Sequence, residues 1–210
     1  MSNLLAIIQT RSNSKRLKNK ALIKIYGLPI IHHVVKKVKK SKKIKKVIVS
    51  TSKEKTDDLL VKYLRDQKID FYRGNLNNVA LRLANTANKY KAKYFIRVNG
   101  DSPLIDYRII NKAINILKNS KKIDIITNVH PRSFPKGQSV EIIKSEILRK
   151  NLKNFSLNDK EHVTTFFYKN ASKFLIKNFL IKKKYKLSNL SIDTIDDLKI
   201  IKKNVSKKKI

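Results

Sequence analysis

Short runs of Val, Ile and Phe alternate with segments whose apolar residues recur every three or four positions, and this rhythm leaves few folds open. Residues 4–8 (LLAII) form a short apolar run of the kind a buried strand uses. Pro29 then precedes a segment in which Ile30, Ile31, Val34, Val35 and Val38 share one helical face and lysines occupy the other. The β-branched run VIVSTS (47–52) reads as the next strand. Thr56-Asp57-Asp58 reads as a helix start with acids in the first turn, ahead of an apolar face of Leu59, Leu60, Tyr63 and Leu64. The pattern repeats with a strand at 69–72, a helix at 79–90 and a strand at 94–98. Asp106 then caps a helix bearing Ile109, Ile110, Ala113, Ile114 and Leu117, and a further strand follows at 123–127. Strands and helices alternating at this spacing predict an α/β domain around a mainly parallel sheet flanked by helices.

Past residue 128 the rhythm changes. HPRSFPKGQ (130–138) is loop-like, and SVEII (139–143) reads as a strand joining the sheet. Helices are expected near 145–152 and 159–168, a strand-like stretch at 174–181, and a final helix opening at Ile195 or Asp196. The chain shows no repeat and no linker long enough to divide it, so its 210 residues predict one domain. The start lacks a basic segment followed by a long apolar run, so no signal peptide is expected. No stretch approaches the roughly 18 apolar residues of a membrane span. Without cysteine there is no disulfide or thiolate metal site, and a cytoplasmic location with no membrane insertion is the expectation.

The net charge of +35 first suggests a nucleic-acid binder. However, 41 of the 50 basic residues are Lys and nine are Arg, and they spread along the whole chain. Arg is the residue suited to bidentate base and phosphate recognition, so the reading is a Lys-biased solvated surface with no nucleic-acid partner. Anionic small molecules would still be drawn to such a surface.

In open parallel sheets, ligands bind beyond the carboxyl ends of the strands. Three such ends carry chemistry. The loop at 9–20 holds Arg11, Arg16 and Lys20 with Ser12 and Ser14, yet matches neither GxxxxGK[ST] nor GxGxxG. Asn99-Gly100-Asp101-Ser102-Pro103 follows the strand at 94–98, and its Gly lets the backbone turn close to a ligand. Asp193 precedes the last helix, where it either caps that helix or faces a ligand, since Asp196 and Asp197 are also available as caps. Asp101 and Asp193 together are the carboxylates that a hard cation such as Mg²⁺ takes alongside phosphate oxygens. The basic loop beside them would hold the rest of a triphosphate.

These segments resemble the sugar cytidylyltransferases, most closely the branch related to spore-coat polysaccharide biosynthesis, with the acylneuraminate and 3-deoxy-manno-octulosonate enzymes as relatives. IIQTRSNSKRLKNKAL (7–22) resembles the pattern IIQARxGSxRLPGKxL that opens that branch. RVNGDSPLID resembles RxTGDCPLID, FPKGQSVEII resembles P-x-G-x-x-VEV, EHVTTFFY resembles EHVTPYI, and LSIDTIDDLKII resembles a closing VDTPEDL. FYRGNLNNVALR is a looser match to FRGsxxDVLxR. No block is specific alone, but they arrive in family order over residues 4–201.

The resemblance implies a Rossmann-like nucleotide-diphospho-sugar transferase fold and transfer of CMP from CTP to a sugar with release of pyrophosphate, in surface polysaccharide or glycan synthesis. It implies a nucleotide-binding half at 1–128 and a sugar-binding half at 129–210. Carried over by position, Arg11, Arg16 and Lys20 would hold the triphosphate, with Gln9, Ser14, Arg82, Asn99 and Gly100 also on the nucleotide side. Asp101 and Asp193 would bind Mg²⁺, and Arg11, Lys20 and Asp101 would act in catalysis. Gln138, Glu141, Glu161 and His162 fall in blocks that would line the sugar side. A homodimer is implied by the resemblance alone. The chain departs from the pattern at Asn13, Lys18 and Asn19, where glycines and a proline are usual, and at Asn78 and Ile195. Asn tolerates positive φ, so Asn13 and Asn19 are expected to keep the backbone path.

Nucleotidyl transfer needs positioning and charge neutralisation more than covalent help from the protein. The owner of the acceptor's proton stays open between His162 and a route through Asp193. An acidic acceptor such as a nonulosonate suits the positive charge. Rival readings are another nucleotidyltransferase of the same fold, a glycosyltransferase, although no DxD pair occurs, and more remotely a basic nucleic-acid-binding protein. His32 and His33, on an amphipathic helix, read as structural.

Overall fold

The computed structural model describes residues 4–13, 16–181, 185 and 188–206. Strand β1 (Leu5–Gln9) lies near the middle of a seven-stranded sheet of order β5-β4-β1-β6-β8-β7-β9. Its neighbours β4 (Lys46–Ser52) and β6 (Tyr94–Asn99) both run parallel to it, and β5 (Phe71–Gly74) runs parallel to β4. On the other side β8 (Glu141–Lys144) runs antiparallel to both β6 and β7 (Ile125–Thr127), and β9 (Ile176–Asn178) closes the edge parallel to β7. The expected α/β architecture with a mainly parallel sheet is what forms. A short hairpin of β2 (Lys24–Ile25) and β3 (Leu28–Pro29) stands apart from it.

The strand period of two divides the core into two layers. Ala6 and Ile8 of β1 join Val49, Ile96 and Val98 beneath helices α1 (Ile30–Lys39), α2 (Asp58–Asp66) and α4 (Tyr107–Lys118). Leu5 and Ile7 join Ile48 and Phe95 against α3 (Val79–Lys89), α5 (Ser145–Asn151) and α7 (Thr165–Lys169). Each fully buried aliphatic side chain contributes roughly 1.5–3 kcal/mol. A third cluster joins Ile25 and Ile30 to Ile192, Leu198 and Ile201, which docks α8 (Ile195–Asn204) beside the loop after β1. Among the described residues, no helix is long and apolar enough to cross a membrane.

Several local expectations are corrected. The core face of α2 is Leu60, Val61 and Leu64, while Leu59 is exposed. Asp57 makes no side-chain cap for α2; a single 3₁₀ turn (Lys55–Asp57) intervenes and its carboxylate points elsewhere. The helix expected over 159–168 is two, α6 (Leu157–His162) and α7, broken at Val163. Val163 has φ 53°, a costly conformation for a β-branched residue, while its side chain is fully buried. The strand-like 174–181 stretch pairs only over β9. The last helix opens at Ile195 with a reciprocal box in which Thr194 and Asp197 cap each other's backbone, so Asp193 is free of the capping task.

Candidate active site

The carboxyl ends of β1 and β6 lie side by side, with Gln9 opposite Asn99. The Gly100 amide donates to the Gln9 carbonyl at 2.9 Å. A Cβ on Gly100 would stand 2.7 Å from Thr10 Cβ, so the two chains approach as closely as they do only because this residue is glycine. Beyond these ends opens a cleft of about 690 Å³ lined by Gln9, Arg11, Arg16, Lys20, Arg82, Asn99, Gly100, Asp101, Glu161, His162 and Asp193. The structure thus brings together eleven of the residues that the sequence singles out. Ser14 lies outside the described residues. Gln138 and Glu141 do not line the cleft.

At one end the two aspartates converge on one cation. Lys20 Nζ lies 3.2 Å from Asp101 Oδ2 and 2.8 Å from Asp193 Oδ1. Arg16 adds a second charge 3.2 Å from Asp193 Oδ1. The backbone holds the acids in place, because the Ile192 amide donates to the Asp101 carbonyl at 2.9 Å. Among the described residues, no three His, Cys, Asp or Glu side chains gather as a metal cage. A pair of carboxylates facing one ammonium fits a Mg²⁺ ion that completes its shell with phosphate oxygens and water.

The loop that carries the cations is closed at its base. The Asn19 amide donates to the Ser12 carbonyl at 3.1 Å, and Asn19 sits in the left-handed region (φ 51°) directly before the 3₁₀ turn that presents Lys20. Asn19 therefore does what was expected of it, whereas Asn13 has no positive φ. The Ser12 amide donates to Asp57 Oδ1 at 2.5 Å. Burial alone would raise the Asp57 carboxyl, but hydrogen bonds from Ser52, Ser12 and Thr51 together hold it below its ordinary value. Nothing in the sequence pattern separates Asp57 from a helix cap, because its partner is 45 residues away.

The side wall is built from α3, β6 and α6. Arg82 is almost wholly buried and hydrogen-bonds the Asn75 carbonyl through Nη1 at 2.7 Å, while its Nε finds no partner among the described residues. Burial lowers its pKa to about 10, and Asp57 opposes that shift, so the guanidinium stays charged. Asn78 caps α3 through the Leu81 amide at 2.9 Å, so Asn serves at this departure from the family pattern. Arg97, which the sequence reading passed over, lines the cleft and donates Nε to Gln9 Oε1 at 2.8 Å. Its Nη1 pairs with Glu141, whose other oxygen accepts the Tyr168 hydroxyl at 2.5 Å. Glu141 therefore acts behind Arg97 and does not face the cleft. Gln138 is held between the Leu104 carbonyl and the Asp106 amide, at 2.7 and 3.0 Å. Across the opening, Arg11 Nη2 meets Glu161 Oε1 at 2.6 Å. The His162 ring makes no hydrogen bond to a described residue and lines the same cleft. His33 and His32 are committed elsewhere, to the Ile25 carbonyl and the Tyr63 hydroxyl, each at 2.8 Å.

Two carboxylates and clustered cations at a strand-end crevice suit an anionic ligand such as a nucleotide's phosphates. A family model described as cytidylyltransferase matches residues 5–208. The chain belongs to the cytidylyltransferase family and is a nucleotidyltransferase. An uncharacterized protein of Methanocaldococcus jannaschii is 32% identical over 94% of this chain and 81% of its own length. The spore coat polysaccharide biosynthesis protein SpsF of Bacillus subtilis is 25% identical over 96% of this chain and 86% of its own. A 3-deoxy-manno-octulosonate cytidylyltransferase of Geobacter sulfurreducens is 31% identical over 53% of this chain and 44% of its own. The solved structure of a cytidylyltransferase from Leptospira borgpetersenii superposes with a TM-score of 0.92 at 26% identity, covering all of this chain and 90% of that one.

Proposed function

We propose that the protein transfers CMP from CTP to an acidic sugar, releasing pyrophosphate, in the synthesis of a surface polysaccharide or glycan. The observation that carries this reading is the convergence of Asp101 and Asp193 on one cation at the mouth of a loop bearing Arg11, Arg16 and Lys20. The named relatives act in polysaccharide synthesis and on 3-deoxy-manno-octulosonate, which supports an acidic acceptor.

Arg11, Arg16 and Lys20 would bind the triphosphate and offset charge as it builds on the leaving pyrophosphate. Asp101 and Asp193 would hold Mg²⁺, which when bound supplies Lewis-acid stabilisation of the phosphoryl oxygens. Gln9, Asn99, Gly100 and buried Arg82 would orient the nucleotide, with Ser14 on the same loop. Glu161 and His162 would meet the acceptor directly, while Glu141 and Gln138 would support that side from behind. The sugar hydroxyl would attack the α-phosphorus opposite the pyrophosphate. Asp193 is ion-paired with Lys20 and Arg16, whereas the His162 ring has no such partner among the described residues, so His162 would be the better placed acceptor of the hydroxyl proton.

The test is pyrophosphate release with each of the four nucleoside triphosphates against a panel of acidic and neutral sugars. CTP with an acidic sugar should be the active pair, and Asp101→Ala should lower turnover by about 100-fold or more in a folded protein. Turnover with a different nucleotide, or an Asp101→Ala protein that works like its parent, would sink the reading.

A further inference from the structure

Asp57 is a completely buried carboxylate that lies outside the set lining the cleft. Burying a charge is unfavourable unless every lone pair is used. Here each oxygen meets one backbone N–H: Ser12 on Oδ1 at 2.5 Å, and Ser52 on Oδ2 at 2.9 Å. The hydroxyls of Thr51 and Ser52 also donate to Oδ2, at 2.8 and 2.5 Å. Three of these donors belong to the end of β4, but the Ser12 amide belongs to the loop after β1. The bond therefore crosses from one strand end to the next and fixes the residue between Arg11 and Asn13, both of which line the cleft. Ser12 is tied on its other side as well, by the Asn19 amide, one residue before Lys20. The same carboxylate is the anion that acts on buried Arg82 in the cleft wall.

We infer that Asp57 is a positioning residue for the nucleoside triphosphate, fixing the loop that carries Arg11 and Lys20 without touching the ligand. This inference rests on the nucleotide reading of the cleft. The loop at 9–20 holds ten positions between Gln9 and Lys20 without a glycine, and among its described residues Asn13, Arg16, Lys18 and Asn19 are exposed. Its side chains alone would sample many arrangements, and each immobilised cation would cost entropy when the ligand bound. An anchored Ser12 removes part of that cost in advance. The role is specific to a carboxylate. Ser12 N–H and Ser52 N–H are fixed donors on opposite oxygens, and an Asn side chain has only one acceptor oxygen. Asp57→Asn must therefore set an NH₂ against one of the two amides, although shape and volume are kept.

The test uses the full-length protein, with CTP binding followed by calorimetry and backbone exchange at residues 9–20 followed by hydrogen–deuterium exchange. Asp57→Asn should weaken CTP about tenfold or more, speed exchange in the loop, and leave the acceptor KM within about twofold. Ser52→Ala keeps the Ser12 contact but loosens the carboxylate, so it should weaken CTP by about threefold. That variant carries the test if Asp57→Asn does not fold. Leu117→Ala, in the last turn of α4, serves as a control that lowers the melting temperature without altering CTP affinity. Loss of thermal stability in the Asp57 and Ser52 variants with unchanged CTP affinity would overturn the inference and leave the nucleotide reading intact. A parent protein that binds no CTP would overturn both.

Discussion

Lys20 and Asp193 are 173 residues apart in the chain, yet the lysine ammonium lies 2.8 Å from the aspartate oxygen. With Asp101 on its other side, the ammonium occupies the place between two carboxylates where a divalent cation would bind. In the proposed reading lysine and metal would compete for the same negative charge, and a triphosphate that drew Lys20 away would favour metal entry. Lys20→Met should bind Mn²⁺ in the absence of nucleotide about tenfold more tightly than the parent, a difference of roughly 1.4 kcal/mol. The same variant should bind CTP less well. Paramagnetic resonance of free Mn²⁺ reads the first effect directly. Equal or weaker metal binding would mean that the ammonium does not hold the cation's place.

Gly100 sets the spacing between the loops after β1 and β6. An alanine methyl would press against Thr10 Cβ at 2.7 Å and the Gln9 carbonyl at 3.0 Å. Gly100→Ala should destabilise the fold by about 1–3 kcal/mol through overpacking. It should also lower turnover more than the change in stability explains, because Gln9 and Asn99 flank the cleft. Denaturant unfolding together with a rate assay separates the two. Unchanged rates would show that the spacing is not tuned for activity.

Acid should unfold the protein through a small set of carboxylates. Burial by itself raises the carboxyls of Asp57, Asp159 and Asp197, but hydrogen bonds outweigh it in each case and leave the value below the usual 3.8. A depressed folded value contributes stability that is present above the unfolded value and is lost as pH falls through the folded one. Stability should therefore be flat with respect to these groups from neutral pH to about 5 and fall below about pH 4. Asp197→Asn removes the charge and keeps one oxygen for the Asp193 and Thr194 amides, but it sets an NH₂ against the Asn189 side-chain amide nitrogen that donates to the other oxygen. Its stability should be lower at pH 7 and should fall less steeply on acidification. Urea titrations at several pH values give both slopes, and parallel curves would discount Asp197.

The Arg11–Glu161 pair spans the cleft opening, with both side chains substantially exposed. Such pairs contribute about 1 kcal/mol or less to stability. Glu161→Gln should thus leave the melting temperature nearly unchanged while shifting the acceptor KM severalfold. If the KM for CTP moves and the acceptor KM does not, Glu161 belongs to the nucleotide side.

The sheet and most helices were legible because their apolar residues follow the strand and helix periods, as in β1, β4, α1 and α4. The ends of β5, β7 and β9 were not, since pairing partners fix those limits and apolar runs do not. The single helix expected over 159–168 fails at Val163, a residue whose local preference opposes the φ that its buried position imposes. Asp101 and the loop cations stood out because strand ends are where ligands bind in such sheets, whereas Asp193 follows no strand among the described residues and stood out as an acid just ahead of the last helix. Asp57 and Arg97 could not be, since the meaning of each lies in a distant partner, Ser12 for one and Gln9 with Glu141 for the other. Gln138 and Glu141 share a family-like segment with the sugar side, but their side chains are consumed by neighbouring groups.

The hydrogen bond from the Ile192 amide to the Asp101 carbonyl also has a consequence for the order of events during synthesis. Strands β1, β4, β5 and β6, with the basic loop, leave the ribosome well before residue 192. A growing chain therefore carries Lys20 and Asp101 before Asp193 exists to complete their ion pairs. Asp193 comes later in the chain, next to the Ile192 amide that bonds the Asp101 carbonyl. The two-sided ion pairing of Lys20 is thereby a contact that can close only after the chain has passed residue 193.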